Sequence, residues 1–528
     1  MATLRMRRLA DRWSLSVFIL FLIIKFLQAL KRLGIRPREN GWRKVTRAYL
    51  RTEHSKFVLA CMGLDFRAGA AAEEDGSGDK KARIIGKLAE FFRSQTQLHW
   101  KIQWGRFSAR MVKKDFIDIV LADFDEYGSL KSIVVYLDPA AGNAGLEALD
   151  ARLKEDLLHG IIKIYNQTRE LPDKKRPVIL RKELREWLLA KMAWPSNAAL
   201  KQARCYADRV LSADFIRFEE APAERTQPDF KRFTSPDFIK QKHPGFGLLN
   251  IVCRINAGDS CADLWFQCNH VPIDGLPMQE ALDELKKKWA GDGVLKFPPA
   301  SQTVIDESQL CSSVRGEKGV YNLSRIINFR PLIGMDKELC KQCAGQQRRA
   351  ITVLRLFIWK LGNHPVFKGL KLLIPAAVPG CGGQEKTLGF VLIRPSIYFD
   401  KYGPEQGFLE FQREFNRQVK AIIARKNESY ELFECYALLP ITLYSLAMKF
   451  MPSAIREFAG TVGVTIINKA DVFISPYSDV HCDGFIAVSN FFTPTEDGEI
   501  GCYVSIKGPK DRLNDYMAAI EEIAAAKA

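Results

Sequence analysis

The chain has 528 residues, 47% hydrophobic and 26% charged, a globular composition with room for more than one core. Its formal net charge of +17 is unevenly placed: residues 1–51 hold thirteen Lys or Arg against Asp11 and Glu39, a net +11 that leaves +6 for the rest. That placement, with no basic stripe interleaved with aromatics elsewhere, argues against a nucleic-acid-binding face.

In chain order, the first feature is "WSLSVFILFLIIKFLQAL", residues 13–30, apolar apart from Ser14, Ser16, Lys25 and Gln28. Its uninterrupted apolar run, Val17 to Ile24, falls short of the ~20 residues that a spanning helix needs. Basic residues flank it on both sides, Arg5, Arg7, Arg8 and Arg12 before and Lys31, Arg32, Arg36 and Arg38 after. "KRLGIRPREN" follows where a signal peptide would show a small-residue cleavage site. The expectation is a peripheral or monotopic helix on the cytoplasmic side of a membrane. A helix docked on the protein's own core is the alternative. Residues 1–66 are assigned to this segment, and the small, polar, charged stretch around "AGAAAEEDGSGDKKA" makes 67–82 a linker.

The body mixes strands and helices. "SIVVYLD" reads as a strand, and "LEALDARLKEDLLHGIIKIY" and "LRKELREWLLAKM" have helical spacing. "GLLNIVCRI" and "DLWFQCNH" read as two strands joined by "NAGDS". After them comes "VPIDG" and then a helix from about Pro277, with Met278, Leu282 and Leu285 on its core face. Residues 291–320 are irregular, and 301–320 of them form a crossover that divides the body into 83–300 and 321–528. The twelve cysteines sit mostly in apolar stretches, as buried thiols of a reducing compartment do. Cys340 and Cys343 make one C-x-x-C with no second pair at zinc spacing, so no metal site is assigned.

The end of the second part echoes the first. Laid without a gap, Gly247 onward matches Gly484 onward, strand on strand and turn on turn, with a helix after each. This overlay sets His270 against Lys507, Asp274 against Asp511, Gly275 against Arg512 and Leu276 against Leu513.

"HVPIDG", residues 270–275, is H-x-x-x-D-G running into an apolar helix. It resembles the signature of the chloramphenicol acetyltransferase-like superfamily. That group includes the acyltransferases of 2-oxoacid dehydrogenases, plant-type acyltransferases, wax ester synthases and peptide condensation domains. With 253 residues after Gly275, the layout is similar to the two-lobed members, in which one lobe keeps the histidine. The resemblance implies an α/β (α+β) fold of two chloramphenicol acetyltransferase-like lobes, each a mixed sheet covered by helices, forming a pseudo-dimer in a monomeric chain. "LLIPAAVPGCGGQEKTLGFVLIRPSIYF" is similar to a stretch of the condensation-type enzymes. Departures are Asn269, where condensation domains carry a second histidine, and the absence of D-F-G-W-G, which leave the subfamily open.

The implied activity moves an acyl group from a thioester, acyl-CoA or an acyl carrier, to a hydroxyl or amine acceptor. No bound cofactor is implied. A neutral histidine can take the acceptor's proton, which makes His270 the general base in a channel between the lobes. The resemblance implies that Asp274 holds the loop through an ion pair with an arginine, and Gly275 permits the turn into the helix. "AGTVGVTIINKAD" looks like the family's G-T-x-x-x-S-N stretch and offers Thr465 as oxyanion donor. His481 and the other histidines lack such company. A catalytically silent membrane-bound scaffold and condensation-type amide synthesis on carrier proteins stay open. No G-x-S-x-G, G-x-G-x-x-G or phosphate loop is present. "YALLPITLYSLAMKFMPSAI", 436–455, is a second apolar stretch, either a core helix or a membrane-facing one.

Overall fold

The computed structural model describes residues 15–35, 56–65, 80–104, 109–125, 129–138, 151–168, 176–191, 197–221, 249–256, 261–269, 275–289, 310–311, 320–334, 346–378, 387–424, 426, 438, 462–467, 472–476, 484–489 and 501–525. The chain divides into two compact units, one of residues 56–229 and 237–295, the other of 1–55, 230–236 and 296–528. They are called the first and second unit below. Helix α1 (Leu15–Arg32) groups with the second.

In the first unit, β1 (Lys56–Asp65) is followed by α2 (Lys80–Ser94), a hairpin β2 (Trp100–Trp104) and β3 (Ala109–Lys113), then β4 (Ile119–Phe124) and β5 (Leu130–Tyr136). Three helices come next, α3 (Ala151–Thr168), α4 (Arg176–Lys191) and α5 (Asn197–Ser212), then β6 (Asp214–Ala221), β7 (Leu249–Asn256), β8 (Cys261–Asn269) and α6 (Gly275–Lys288). The strands lie in the order β1-β8-β7-β6-β4-β5. The two middle junctions, β7 with β6 and β6 with β4, are parallel and the others antiparallel. Helices cover both faces. Helices α3, α4 and α5 bury Leu157, Leu184, Ala203 and Val210 against Val120, Ala122, Ile133 and Phe215. Phe215 is in register with Asn250, and Asn250 with Gln267, so the alternating pleat puts Phe266 on the opposite face. There Phe266 meets Phe92 of α2 edge-on at 6.5 Å.

Residues 56–65, assigned from the sequence to the N-terminal segment, are therefore a strand of the folded body. The run "KFVLACMGLD" pairs antiparallel along β8 from Lys56↔Asn269 to Asp65↔Cys261. That partner lies some two hundred residues away, and no local pattern announces it. The linker expected through 82 also ends earlier, since α2 starts at Lys80.

The second unit continues with β9 (Leu310–Cys311), β10 (Val320–Asn328), α7 (Arg330–Gly334), α8 (Gln346–Asn363), β11 (Leu372–Val378) and β12 (Thr387–Ile393). Helices α9 (Pro395–Tyr402) and α10 (Pro404–Ile423) follow, then β13 (Val462–Ile467), β14 (Val472–Pro476), β15 (Gly484–Ser489), β16 (Gly501–Pro509) and α11 (Lys510–Ala525). Its sheet runs β12-β11-β13-β15-β16-β10-β9. Its core is a single cluster in which Val462, Val464, Ile486, Val488, Val504 and Ile506 meet Phe357 of α8 and Tyr516 and Ile520 of α11. Strand β9 lies inside the stretch expected to be irregular and pairs with β10.

The two sheets repeat one plan. Going outward from β7 and β15, the chain order, the neighbours and the pairing senses agree strand for strand: β5-β4-β6-β7-β8-β1 answers to β12-β11-β13-β15-β16-β10. In both, a parallel pair of junctions is flanked by antiparallel ones. The chain is thus a mixed α/β protein with two similarly wound sheets covered by helices.

Candidate active site

The motif begins where a central strand stops. Strand β8 lies between β1 and β7 and ends at Asn269; α6 begins at Gly275. His270 and Asp274 lie between these ends and outside the described residues. The helix starts two residues earlier than Pro277, so Gly275 is its first residue. Met278, Leu282 and Leu285 are fully buried on its inner face, as their spacing requires, with Ala281 beside them.

Helix α2 fixes α6. Phe91 meets Trp289 edge-on at 5.8 Å, and Gln95 Nε2 donates to Glu284 Oε2 at 2.7 Å. Lys288 reaches Glu90 at 2.9 Å on the exposed side, an ion pair that adds little. These contacts fix the C-terminal end of α6, and its buried face of Met278, Ala281, Leu282 and Leu285 holds the rest of the helix on the body.

A buried polar clamp sits at the same end of the sheet. Arg209 of α5 donates to both carboxylate oxygens of Asp118, at 2.9 and 2.6 Å, and to the carbonyl of Asp138 at 3.1 Å. Arg93 of α2 grips Asp138 through two bonds of 3.1 and 3.0 Å. The carboxylates also accept backbone N–H groups, Asp138 from Ile117 and Asp118 from Asp138. The carbonyl of Asp118 accepts from Asp214 at the start of β6. Two forked ion pairs thus join α2, α5 and the ends of β4, β5 and β6. Lys114 and Arg209 both lie over the ring of Phe116. Among the described residues, every buried charged group (Asp118, Asp138, Arg209 and Asp214) is in the first unit; the buried polar groups of the second are Ser396, Ser489 and Ser505. These clamp residues carried no sequence signal. Asp118 and Arg209 are far apart in the chain, and neither stands in a motif.

Cys268, two residues before His270, is fully buried. Burial pushes its thiol well up, and the nearby carboxylate of Asp214 pushes it further. It stays a protonated thiol, unfit as a nucleophile.

Thr465 lies half-buried in β13, paired with Ala487 of β15. It stands on the sheet face opposite Val462, Val464 and Ile486. Its row across the sheet is Thr465, Ala487, Ser505 and Ser324. The equivalent row of the first unit is Phe215, Asn250, Gln267 and Val58. At Gly463, a Cβ would sit 2.4 Å from the ring of Phe485, so only glycine fits beside that ring.

The echo between the units holds, with one correction. Leu249 pairs with Cys268, and its counterpart Ile486 pairs with Ile506, one residue beyond the ungapped match. One extra residue therefore lies between the second pair of strands. The slip puts Cys502, Val504 and Ile506 on the core face, as Leu264, Phe266 and Cys268 are in the first unit; without it they would turn outward. The helices agree: the buried Met278, Ala281, Leu282 and Leu285 correspond to the buried Tyr516, Ala519, Ile520 and Ile523. His270 thus answers to Gly508, Asp274 to Arg512 and Gly275 to Leu513. In the second unit β16 runs through Pro509 and α11 starts at Lys510, so strand and helix fill the positions corresponding to 270–274.

Cys340, Cys343, His481 and nearly all of 436–455 lie outside the described residues. Among the described residues, no group of His, Cys, Asp and Glu is arranged to hold a metal ion.

No family model and no curated protein matches the sequence. Among solved structures, the chain is similar to the trichothecene 15-O-acetyltransferase TRI3 from Fusarium sporotrichioides, with a TM-score of 0.45 and 9% identity over 93% of this chain and 95% of that one. It is similar to the first condensation domain of the CDA synthetase, with a TM-score of 0.40 and 13% identity over 94% and 97%. It is also similar to the wax ester synthase/diacylglycerol acyltransferase from Marinobacter aquaeolei VT8, with a TM-score of 0.38 and 10% identity over 93% and 100%.

Proposed function

We propose that the chain is an acyltransferase that moves an acyl group from acyl-CoA to a hydroxyl or amine acceptor, with His270 as general base. One observation carries this reading. H-x-x-x-D-G occupies the joint between a central strand and a packed helix, in the unit that concentrates the buried charges. At the corresponding joint of the other unit all three motif residues are replaced.

The chemistry follows from the residue types. Neutral imidazole takes the acceptor's proton as its oxygen or nitrogen bonds to the thioester carbon. The tetrahedral oxyanion collapses, the carbon–sulfur bond breaks, and imidazolium returns the proton to the departing thiolate. Asp274 keeps the loop in place. Glycine at 275 lets the chain turn into α6 without a side chain at the bend.

The test uses the full chain with acetyl-CoA and palmitoyl-CoA, each with panels of alcohols and amines. Free CoA thiol is measured together with the acylated product. Acceptor-dependent release that His270→Ala lowers at least about a hundredfold supports the reading. Absence of turnover on every donor, or release unchanged in the variant, would overturn it.

A further inference from the structure

Helix α1 is apolar on two opposite sides. Ile24 and Leu27 are 7% and 2% exposed and form its inner side. Leu22, Phe26 and Leu33, at 46%, 63% and 78% exposed, line the outer one. Their spacing (i, i+4, i+11) keeps them on a single face, with exposed Ala29 in the same row. Burial against the protein explains the inner pair but leaves the outer row facing solvent.

The helix carries no acid. Lys31 and Arg32 lie in its last turn, and Lys25 is exposed along its length. It ends in a glycine cap: Gly34, at φ +85°, donates to Lys31 O at 3.1 Å, while Ile35 donates to Leu30 O at 3.2 Å. The cap stops the helix with Leu33 and Ile35 exposed. Its 18 residues make roughly 27 Å, less than the ~30 Å hydrocarbon core of a bilayer. Among the described residues no helix is long and apolar enough to cross a membrane.

We propose that α1 lies flat in one leaflet of a membrane containing anionic lipid, with Leu22, Phe26 and Leu33 inserted and Lys25 and Arg32, which flank that row, at the phosphate level. The charge selects this occupant. A second copy would bring the +11 of residues 1–51 against itself, whereas an anionic surface attracts those cations. The inference is independent of the acyl-transfer reading, because it needs only α1.

Flotation of the full-length protein with phosphatidylcholine/phosphatidylserine vesicles, and with phosphatidylcholine alone, tests it. Wild type floats with the mixed vesicles and binds the neutral ones more weakly. Leu22→Ser/Phe26→Ser/Leu33→Ser lowers partitioning at least about tenfold on both. Lys25→Gln/Arg32→Gln removes most of the preference for the anionic vesicles only. A fluorophore on Phe26→Cys is quenched by shallow lipid nitroxides rather than mid-bilayer ones, and this reading stands even if the triple variant fails to fold. His270→Ala binds as wild type does, which separates this result from loss of catalysis. Failure to float, an unaffected triple variant with a native melting profile, or quenching deepest at mid-bilayer would each refute the proposal. So would a vesicle-indifferent dimer that the outer-face substitutions dissociate.

Discussion

The joints β8–α6 and β16–α11 occupy the same place in two sheets of the same plan, yet they are built differently. At the first, residues 270–274 stand between strand and helix and carry the histidine and aspartate. At the second, β16 and α11 abut, and Gly508, Arg512 and Leu513 replace the motif. The surroundings differ in the same sense. The first unit holds one fully buried and one half-exposed arginine–carboxylate fork at the same end of its sheet as the joint, while among the described residues the second buries no charged group. A buried ion pair is weak evidence for stability, since desolvation offsets its attraction. Concentrating such pairs in the unit that holds the motif is better explained by a need to hold strand ends in place. The sheet plan recurs in both units, while H-x-x-x-D-G stands in one of them.

The largest effect should come from breaking that clamp. Arg209→Ala strands the buried carboxylate of Asp118 and should cost about 3–5 kcal/mol, seen as an early unfolding transition in denaturant. Arg325→Ala in the second unit removes a part-buried bond of 2.8 Å to Glu521, whose carboxylate is 40% exposed, and should cost about 1 kcal/mol. Equal losses would remove the contrast between the units. Next, His270→Ala should lower kcat/KM by about a hundredfold or more with an unchanged melting profile. Thr465→Ala should lower kcat by about the same order if its hydroxyl stabilises the oxyanion, with Thr465→Ser largely restoring it. A variant as active as wild type would leave Thr465 as a small residue of its sheet face. Asp274→Asn should cost roughly tenfold in activity and also lower the melting temperature, because loop and helix start move together. At the bottom of the scale, Lys507→Ala, beside Gly508 at the second joint and at the position answering to Asn269, should leave turnover within about twofold. A loss matching that of His270→Ala would mean that both joints are used.

Much of the framework was legible in one dimension. The strands "NIVCRI" and "DLWFQC", the helix with Met278, Leu282 and Leu285 inward, and the echo between the two halves all follow from patterns a few residues long, because pleat and helix period impose them locally. H-x-x-x-D-G could be read for the same reason: its parts are neighbours in sequence. The basic, apolar N-terminal segment was visible too, in composition alone.

Other features depend on partners far along the chain. Strand β1 exists because "KFVLACMGLD" finds the edge of β8, and its own residues suit the end of an N-terminal segment as well. The one-residue slip between the two hairpins was hidden because an ungapped match scores the turns and misses the ladder; core burial on one face of β16 decides it. The clamp of Arg93, Asp138, Asp118 and Arg209 is drawn from four elements, and only packing brings it together. Likewise, sequence showed that α1 is apolar, but only its burial pattern separates the residues that face the protein from those that face outward. Local periodicity determines which residues can share a face, while the tertiary fold determines which of those faces is covered, because burial is a property of both surfaces in contact.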